Sequence, residues 1–343
     1  LSNRKVKMKV SVVILNWNGE KMLEEYLPNI LSHCNLPGVE VVIIDNGSTD
    51  NSVCWLQVHY PEVRLVILSE NYGFADGYNK GLETVDSEYI VLLNSDIQLT
   101  EGWLSPLIDF LDNHPDYAAC QPKMLSLRQP EYFEHAGACG GFIDYYGYPY
   151  CRGRIMNTVE RDQGQYDVPI DVAWTSGAAM CLRNQAYREV GQLDGTFFAH
   201  MEEIDLCWRL RARGYKLRCI PQSVVYHLGG GSLPYGSPRK TYLNFRNNLL
   251  MLYKNLPEGD LCGVMRMRCL LDYIAAGMFF LKGQWAHMKA VLKARKDGKS
   301  LIHKQYKSVR QENLRLAVKG TYLPKRFPRL ILLGRSPFHV QGN

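Results

Sequence analysis

Apolar runs recur at 10–15, 39–44, 63–68 and 89–93, rich in Val, Ile and Leu with little polar alternation. Such runs read as strands covered on both faces. Helical stretches separate them: 20–33, with Leu23, Leu27, Ile30 and Leu31 on one stripe; a segment capped by Ser48 or Thr49 and running towards His59; and 75–85. Strands alternating with helices of this length predict an α/β fold with a mostly parallel central sheet. Each strand ends in a polar loop, so Asn16, Asp45, Asn71 and Asp96 are expected to gather at the carboxyl edge, where open α/β sheets bind ligands. No G-x-G-x-x-G fingerprint or P-loop lysine follows the first strand, so contacts to a nucleotide would fall to side chains. Asp45 could accept from a base or ribose. Trp17 fits stacking on a base or ordinary packing. Asn94-Ser95-Asp96 fits both a turn and a hard divalent cation.

The alternation lapses between 130 and 169, a stretch rich in Tyr and Gly (Tyr145, Tyr146, Gly147, Tyr148, Tyr150) that suits sugar faces, apolar acceptors or an ordinary lid. Order returns at 172–180, read as a bent strand holding Trp174, with Gly177 permitting close backbone approach. Glu202, Glu203 and Asp205 then open a helix that ends in Arg209, Arg211 and Arg213, which complements the helix dipole. Two adjacent buried carboxylates are unfavourable as anions, so one of Glu202 and Glu203 is expected in a cleft with an altered pKa, as a candidate general base. A strand at 223–226 delivers His227 ahead of Gly229, Gly230 and Gly231, and a His so placed is a candidate metal ligand.

The chain of 343 residues suits one large domain plus an appendage, and its 46% hydrophobic and 22% charged residues are ordinary for a globular protein. The net charge of +6 is uneven: residues 260–343 hold 17 Lys and Arg against 4 Asp and Glu, leaving the rest net acidic. A basic tail on an acidic body points to an anionic partner, phospholipid or nucleic acid, or to a solvated helical surface. Ten cysteines without a C-x-x-C pair speak against a zinc knuckle or a thioredoxin-like site and fit a reducing cytoplasm. With no signal peptide and no run of 18 apolar residues, the expectation is a cytoplasmic protein, soluble or peripheral on the inner membrane face.

Together the stretches 12–19 (VVILNWNG), 43–50 (IIDNGSTD), 71–81 (NYGFADGYNKG), 93–96 (LNSD) and 202–206 (EEIDL), with His227, resemble glycosyltransferase family 2. The nearest likeness is to its rhamnosyltransferase-like bacterial branch. The resemblance implies a GT-A (Rossmann-like) nucleotide-sugar-binding domain over 9–255 and a basic, mostly helical C-terminal extension over 256–343. It implies that Asp45 contacts the base beside Asn16 and Trp17, and that Asn71, Gly73 and Asn79 line the donor. Asn94, Ser95 and Asp96 stand where the family has its D-x-D motif, so Asp96 and His227 would hold a divalent metal, Mg or Mn. Glu203 matches the family's catalytic base, with Glu202 a rival, and Trp174 and Gly177 would face the acceptor. The implied reaction is inverting transfer from a nucleoside-diphosphate sugar to a glycan or lipid-linked acceptor in bacterial surface polysaccharide synthesis. A non-catalytic nucleotide-sugar or glycan-binding module is the alternative. Nucleic acid is not an expected partner. The stripe Leu270, Leu271, Ile274, Met278 and Leu281, with Lys282, Lys289, Lys293, Arg295, Lys296 and Lys299, suits an anionic membrane surface, packing on the catalytic domain, or a homodimer contact.

Overall fold

In the computed structural model, β1 (Val10–Asn16), β2 (Val39–Asp45), β3 (Arg64–Ile67) and β4 (Tyr89–Leu93) form the parallel half of a nine-stranded sheet, in the order β4-β1-β2-β3. Residues 8–134, 138–155, 158–229 and 236–317 are described; Gly230 and Gly231 of the expected glycine loop, and residues 318–343 of the basic extension, lie outside them. Helices α1 (Glu20–Cys34), α2 (Ser52–His59) and α3 (Gly73–Gly81) make the crossovers, and α1 buries Leu23, Leu27 and Ile30 as its periodicity requires. Helix α2 starts later than a Ser48 or Thr49 cap would put it. Ser48 Oγ is engaged instead by Asn16 Nδ2 and the Asn18 amide, while Asn18 Oδ1 takes the amides of Thr49 and Asp50. These bonds tie the loops after β1 and β2 together.

The other half of the sheet is mixed. After β5 (Ile97–Leu99) and α4 (Ser105–Asn113) comes β6 (Tyr117–Ser126), followed by a small antiparallel sheet of β7 (Gly141–Ile143), β8 (Pro149–Cys151), β9 (Arg154–Ile155) and β10 (Thr158–Val159). The chain returns through β11 (Ile170–Asp171) to β12 (Ala179–Arg183), which runs antiparallel to both β4 and β6 because it enters from their carboxyl edge. Helices α5 (Asn184–Glu189) and α6 (Glu202–Ala212) lead to β13 (Lys216–His227), parallel to β6 and antiparallel to β5 and β11. The strand expected at 223–226 is therefore the end of a longer one, bulged between Ile220 and Val224 where Pro221 has no N–H to give the ladder.

Alternate residues of the strands feed two cores. Val13, Val42, Ile44 and Leu92 pack under α3, α5 and α6, while Val12, Ile14, Ile43 and Leu93 pack under α1 and α4. Four further helices follow, α7 (Pro238–Asn255), α8 (Glu258–Leu281), α9 (Trp285–Leu301) and α10 (Lys307–Leu316). The first of them is structurally part of the body: Leu249 and Leu250 join the first core, and Asn247, Asn248, Lys254 and Asn255 are buried polar groups on it. Among the described residues no helix is long and apolar enough to cross a membrane.

Candidate active site

At the carboxyl edge β1 and β2 end in register, Asn16 opposite Asp45. Both are buried, and Asn16 Nδ2 donates to Asp45 Oδ2 at 3.0 Å while the Ser48 amide donates to Asp45 Oδ1 at 3.0 Å. Asp45 is thus fixed at the edge by its own loop. Trp17, next in the chain, is 49% exposed and offers a free ring face beside it.

The next residue, Asn46, carries no expected role in the sequence reading, yet it organises the neighbouring loop. Its Nδ2 donates to Asn71 Oδ1 (3.1 Å) and to Gly73 O (2.9 Å), and its Oδ1 accepts from the Tyr72 amide (3.1 Å). Asn71 in turn accepts from the Gly73 amide at 2.8 Å, so its side chain shapes the turn into α3. Gly73 has φ +77°, and a Cβ there would lie 2.5 Å from the Phe198 ring, so glycine is required on both counts. Asn79 lies away from the edge: its side chain bonds Leu193 O and N and accepts from the Tyr187 hydroxyl at 2.6 Å. It is a bridge between α3 and α5, with its polar atoms already engaged.

The second cluster follows β4. The Asn94 amide donates to Ala178 O, and β5 pairs with the end of β13 so that Ile97 lies opposite His227. That pairing brings His227 Nε2 to 3.1 Å from Asp96 Oδ1 and 3.4 Å from Asn94 Nδ2. On its other side His227 Nδ1 lies 3.3 Å from Glu134 Oε1. All three ionisable groups are buried. Burial alone would lower the His227 pKa, but Asp96 and Glu134 outweigh it and push it up to about 10. Burial likewise works against the Asp96 anion, yet His227 holds its pKa below the usual carboxylate value. Two carboxylates flanking one imidazole make a pocket that demands a positive charge. The 3.1 Å between Asp96 Oδ1 and His227 Nε2 is also a spacing two neighbouring ligands of one small cation can take. Among the described residues no group of three or more His, Cys, Asp or Glu is arranged around one metal position, so a cation here would complete its shell with substrate oxygens and water. Ser95, half-buried, lies on the turn between them.

The acid cluster at the start of α6 divides into three environments. Asp205 is wholly buried and structural, 2.8 Å from both Arg209 Nε and Lys254 Nζ, and it accepts from Asn255 Nδ2. Burial opposes its charge, but Lys254 and Arg209 keep its pKa below the ordinary value. Replacing Asp205 by Ala leaves buried Arg209 without its carboxylate and Lys254 with Asp194 as its remaining one. The expected loss is about 3–5 kcal/mol, measurable by urea unfolding. Glu202 is also buried, and burial and the neighbouring Glu203 charge push its pKa well up. Glu203 is half-buried, and burial raises its pKa as well. One oxygen of each Glu has no hydrogen-bond partner.

The backbone leading into this cluster is strained: Phe198, His200 and Met201 all have φ between +64° and +74°. Such strain persists only where surrounding contacts over-determine it. Here Asn247 on α7 donates to the carbonyls of Phe197, Ala199 and His200 at 2.7–2.9 Å, and Arg246 donates to those of Thr196 and Phe197. Phe198 O accepts from the Phe74 amide at 2.6 Å, which docks the loop on α3. The run Asn244-Phe245-Arg246-Asn247-Asn248 on a helix was the available signal for this clamp, because amides on a buried helical face need partners.

The expected acceptor-side residues separate. A Cβ on Gly177 would make ordinary contacts, 3.4 Å from Phe74 and 3.6 Å from Glu203, so space does not demand glycine there, but the position borders Glu203. Trp174 is buried, packed on Gly141, with its indole N–H donating to Phe142 O at 2.8 Å, and so supports the wall from behind. The edge is therefore continuous. It runs from Asn16 and Asp45 through Asn46, Asn71 and Gly73 to Phe198, then by Phe74 and Gly177 to Glu203, and by Ala178 and Asn94 to Asp96, His227 and Glu134. Two surface hollows lie elsewhere, one of about 380 Å³ beside Phe110 and Arg218 and one of about 580 Å³ beside Leu31 and Arg64.

Residues 11–172 match the family described as Glycosyl transferase family 2. The chain is 26% identical over 234 residues to an N-acetylglucosaminyl-diphospho-decaprenol L-rhamnosyltransferase of Mycobacterium tuberculosis, covering 63% of this chain and 75% of that protein. Its fold is similar to that of GalNAc-T7 solved with UDP, GalNAc and Mn2+, with a TM-score of 0.57 at 15% identity, spanning 90% of this chain and 58% of the other. It is also similar to that of the mannosyltransferase PcManGT of Pyrobaculum calidifontis solved with GDP-Man and Mn2+, with a TM-score of 0.51 at 15% identity, over 91% and 86%.

Proposed function

Residues 11–172 place this chain in glycosyl transferase family 2, and from that premise we propose inverting transfer of a sugar from a nucleoside-diphosphate donor to an acceptor hydroxyl. The observation that carries the reading is the continuous edge joining a fixed Asp45, the Asp96–His227 pair and Glu203. Asp45, oriented by Asn16 and the Ser48 amide, receives the base or ribose, and Trp17 covers it. Asp96 and His227 would hold a divalent cation, which when bound supplies charge neutralisation for the diphosphate. Glu203 takes the proton from the acceptor hydroxyl as that oxygen bonds to the anomeric carbon and the bond to the diphosphate oxygen breaks. A single displacement from the opposite face inverts the anomeric centre. The rhamnosyltransferase relative motivates a glycan or lipid-linked acceptor and a place in polysaccharide synthesis.

A thermal-shift screen of nucleotide sugars with Mn²⁺, followed by measurement of nucleoside diphosphate release, tests this reading. A true donor at ~100 times its dissociation constant is expected to stabilise the protein by about 2.7 kcal/mol. Stabilisation without diphosphate release to any acceptor tried would favour a binding module. No stabilisation by any nucleotide sugar would sink the proposal.

A further inference from the structure

Helix α8 is built inside out. Its inward face carries Arg268 and Asp272, buried and paired at 3.3 Å, and Asp272 also meets Arg295 of α9 at 2.5 Å. Its outward face carries Met267, Leu270, Tyr273, Ile274, Met278 and Leu281, all exposed, with Leu270 at 56% and Leu281 at 83%. The spacing of these residues is that of one helical stripe. Of the stripe read from the sequence, Leu270, Ile274, Met278 and Leu281 are exposed and Leu271 is half-buried, so among the described residues most of it does not pack on the catalytic domain. Arg295, expected as a surface cation, is instead buried against Asp272.

The apolar surface continues round the turn into α9, where the rings of Phe280 and Trp285 meet edge to face at 4.7 Å and both are exposed. Isolated exposed apolar residues are commonplace, but a contiguous patch of this extent marks an interaction surface. Its charged surroundings identify the partner. Lys282, Lys289, Lys296 and Lys299 are exposed around the turn and along α9. The acids between 261 and 300 are Asp272, buried against arginine, and Asp297, paired with Lys293. A second copy meeting this patch across a two-fold axis would set lysines against lysines. An anionic surface that is itself apolar beneath satisfies both features.

We propose that the α8–α9 hairpin docks on the surface of an anionic lipid bilayer. The Leu270–Leu281 stripe and Trp285 enter the headgroup boundary, and Lys282, Lys289, Lys296 and Lys299 meet lipid phosphates. Amphipathic helices with aromatic and cationic flanks bind bilayers in this way, without spanning them. The inference uses no residue of the carboxyl edge, so it stands or falls independently of the transferase reading.

Vesicle co-sedimentation of the full chain tests it, with phosphatidylcholine vesicles compared against vesicles containing phosphatidylglycerol. Binding to the anionic vesicles is expected to be at least ~10-fold tighter than to the neutral ones and to weaken with salt, since each lysine near an anionic surface contributes roughly 1 kcal/mol. A Leu270→Ser/Ile274→Ser/Leu281→Ser variant and a Lys282→Glu/Lys289→Glu/Lys296→Glu variant are each expected to lose most of it. All the substituted side chains are exposed, and circular dichroism checks the fold. Should either variant misfold, quenching of wild-type tryptophan fluorescence by brominated anionic lipid, reduced in Trp285→Phe, carries the test. Absence of binding to anionic vesicles at low salt overturns the proposal, as does binding unchanged in both variants. A stable dimer that the leucine variant disrupts, with no vesicle binding, assigns the face to a second copy and also overturns it.

Discussion

Glu203→Gln is expected to keep donor binding and to lower transfer by at least ~10²-fold, the low end for a positioned general base. The substitution preserves shape and removes only the ability to take a proton. Its neighbour supplies the control. Glu202 is the more deeply buried of the two and its pKa is pushed well up by burial and by Glu203, so Glu202→Gln should cost far less activity. The pH profile gives a second reading. Burial raises the Glu203 pKa, and the base works only when ionised, so activity should fall as the pH drops through a value above the ordinary carboxylate range. The Gln variant should lack that acid limb. Calorimetry for donor binding and a coupled assay of nucleoside diphosphate release separate the two effects. An inactive Glu202→Gln with a normal Glu203→Gln would move the base by one position.

Asp96→Ala and His227→Ala should each remove metal-dependent turnover, by at least ~10²-fold, because the cation's charge stabilisation is worth several kcal/mol. Both side chains are buried at strand ends and bond chiefly to each other and to Glu134; His227→Ala leaves two buried carboxylates without their shared imidazole, so its fold is checked by circular dichroism before turnover is compared. Removing Asp96 leaves His227 with Glu134 as its remaining carboxylate, 3.3 Å from Nδ1. The protein should therefore fold yet bind Mn²⁺ with donor poorly, which titration calorimetry measures. Undiminished activity of the parent protein in EDTA would end the metal reading.

Several elements of this protein were legible in its residues alone. Strands β1, β2 and β4 and the helices between the first strands follow from local pattern, since a buried parallel strand has to be a continuous apolar run, whereas β3 shares the pattern but lies at the sheet edge, half-buried. The meeting of Asn16, Asp45, Asn71 and Asp96 at one edge then follows from βαβ topology, which puts every strand's carboxyl end on the same side. What pattern does not contain is contact between distant segments. Glu134 lies in the irregular stretch after β6 without any motif, and it reaches His227, 93 residues later, only because β13 pairs with both β6 and β5. The family resemblance implies site roles for Asn79 and Trp174, and their side-chain polar groups make hydrogen bonds inside the fold. Glu202, Glu203 and Asp205 are three similar acids in sequence, and only packing separates them: Lys254 and Arg209 hold the Asp205 pKa down, while burial pushes those of Glu202 and Glu203 up. The same limit holds for α8. Its apolar stripe is visible in the sequence, but which side faces the protein is decided by Asp272, which draws Arg268 and Arg295 inward and leaves the leucines outside. A buried charge must find its partners, whereas an apolar side chain can be covered by any apolar neighbour, so here the ion pairs set the helix's rotation.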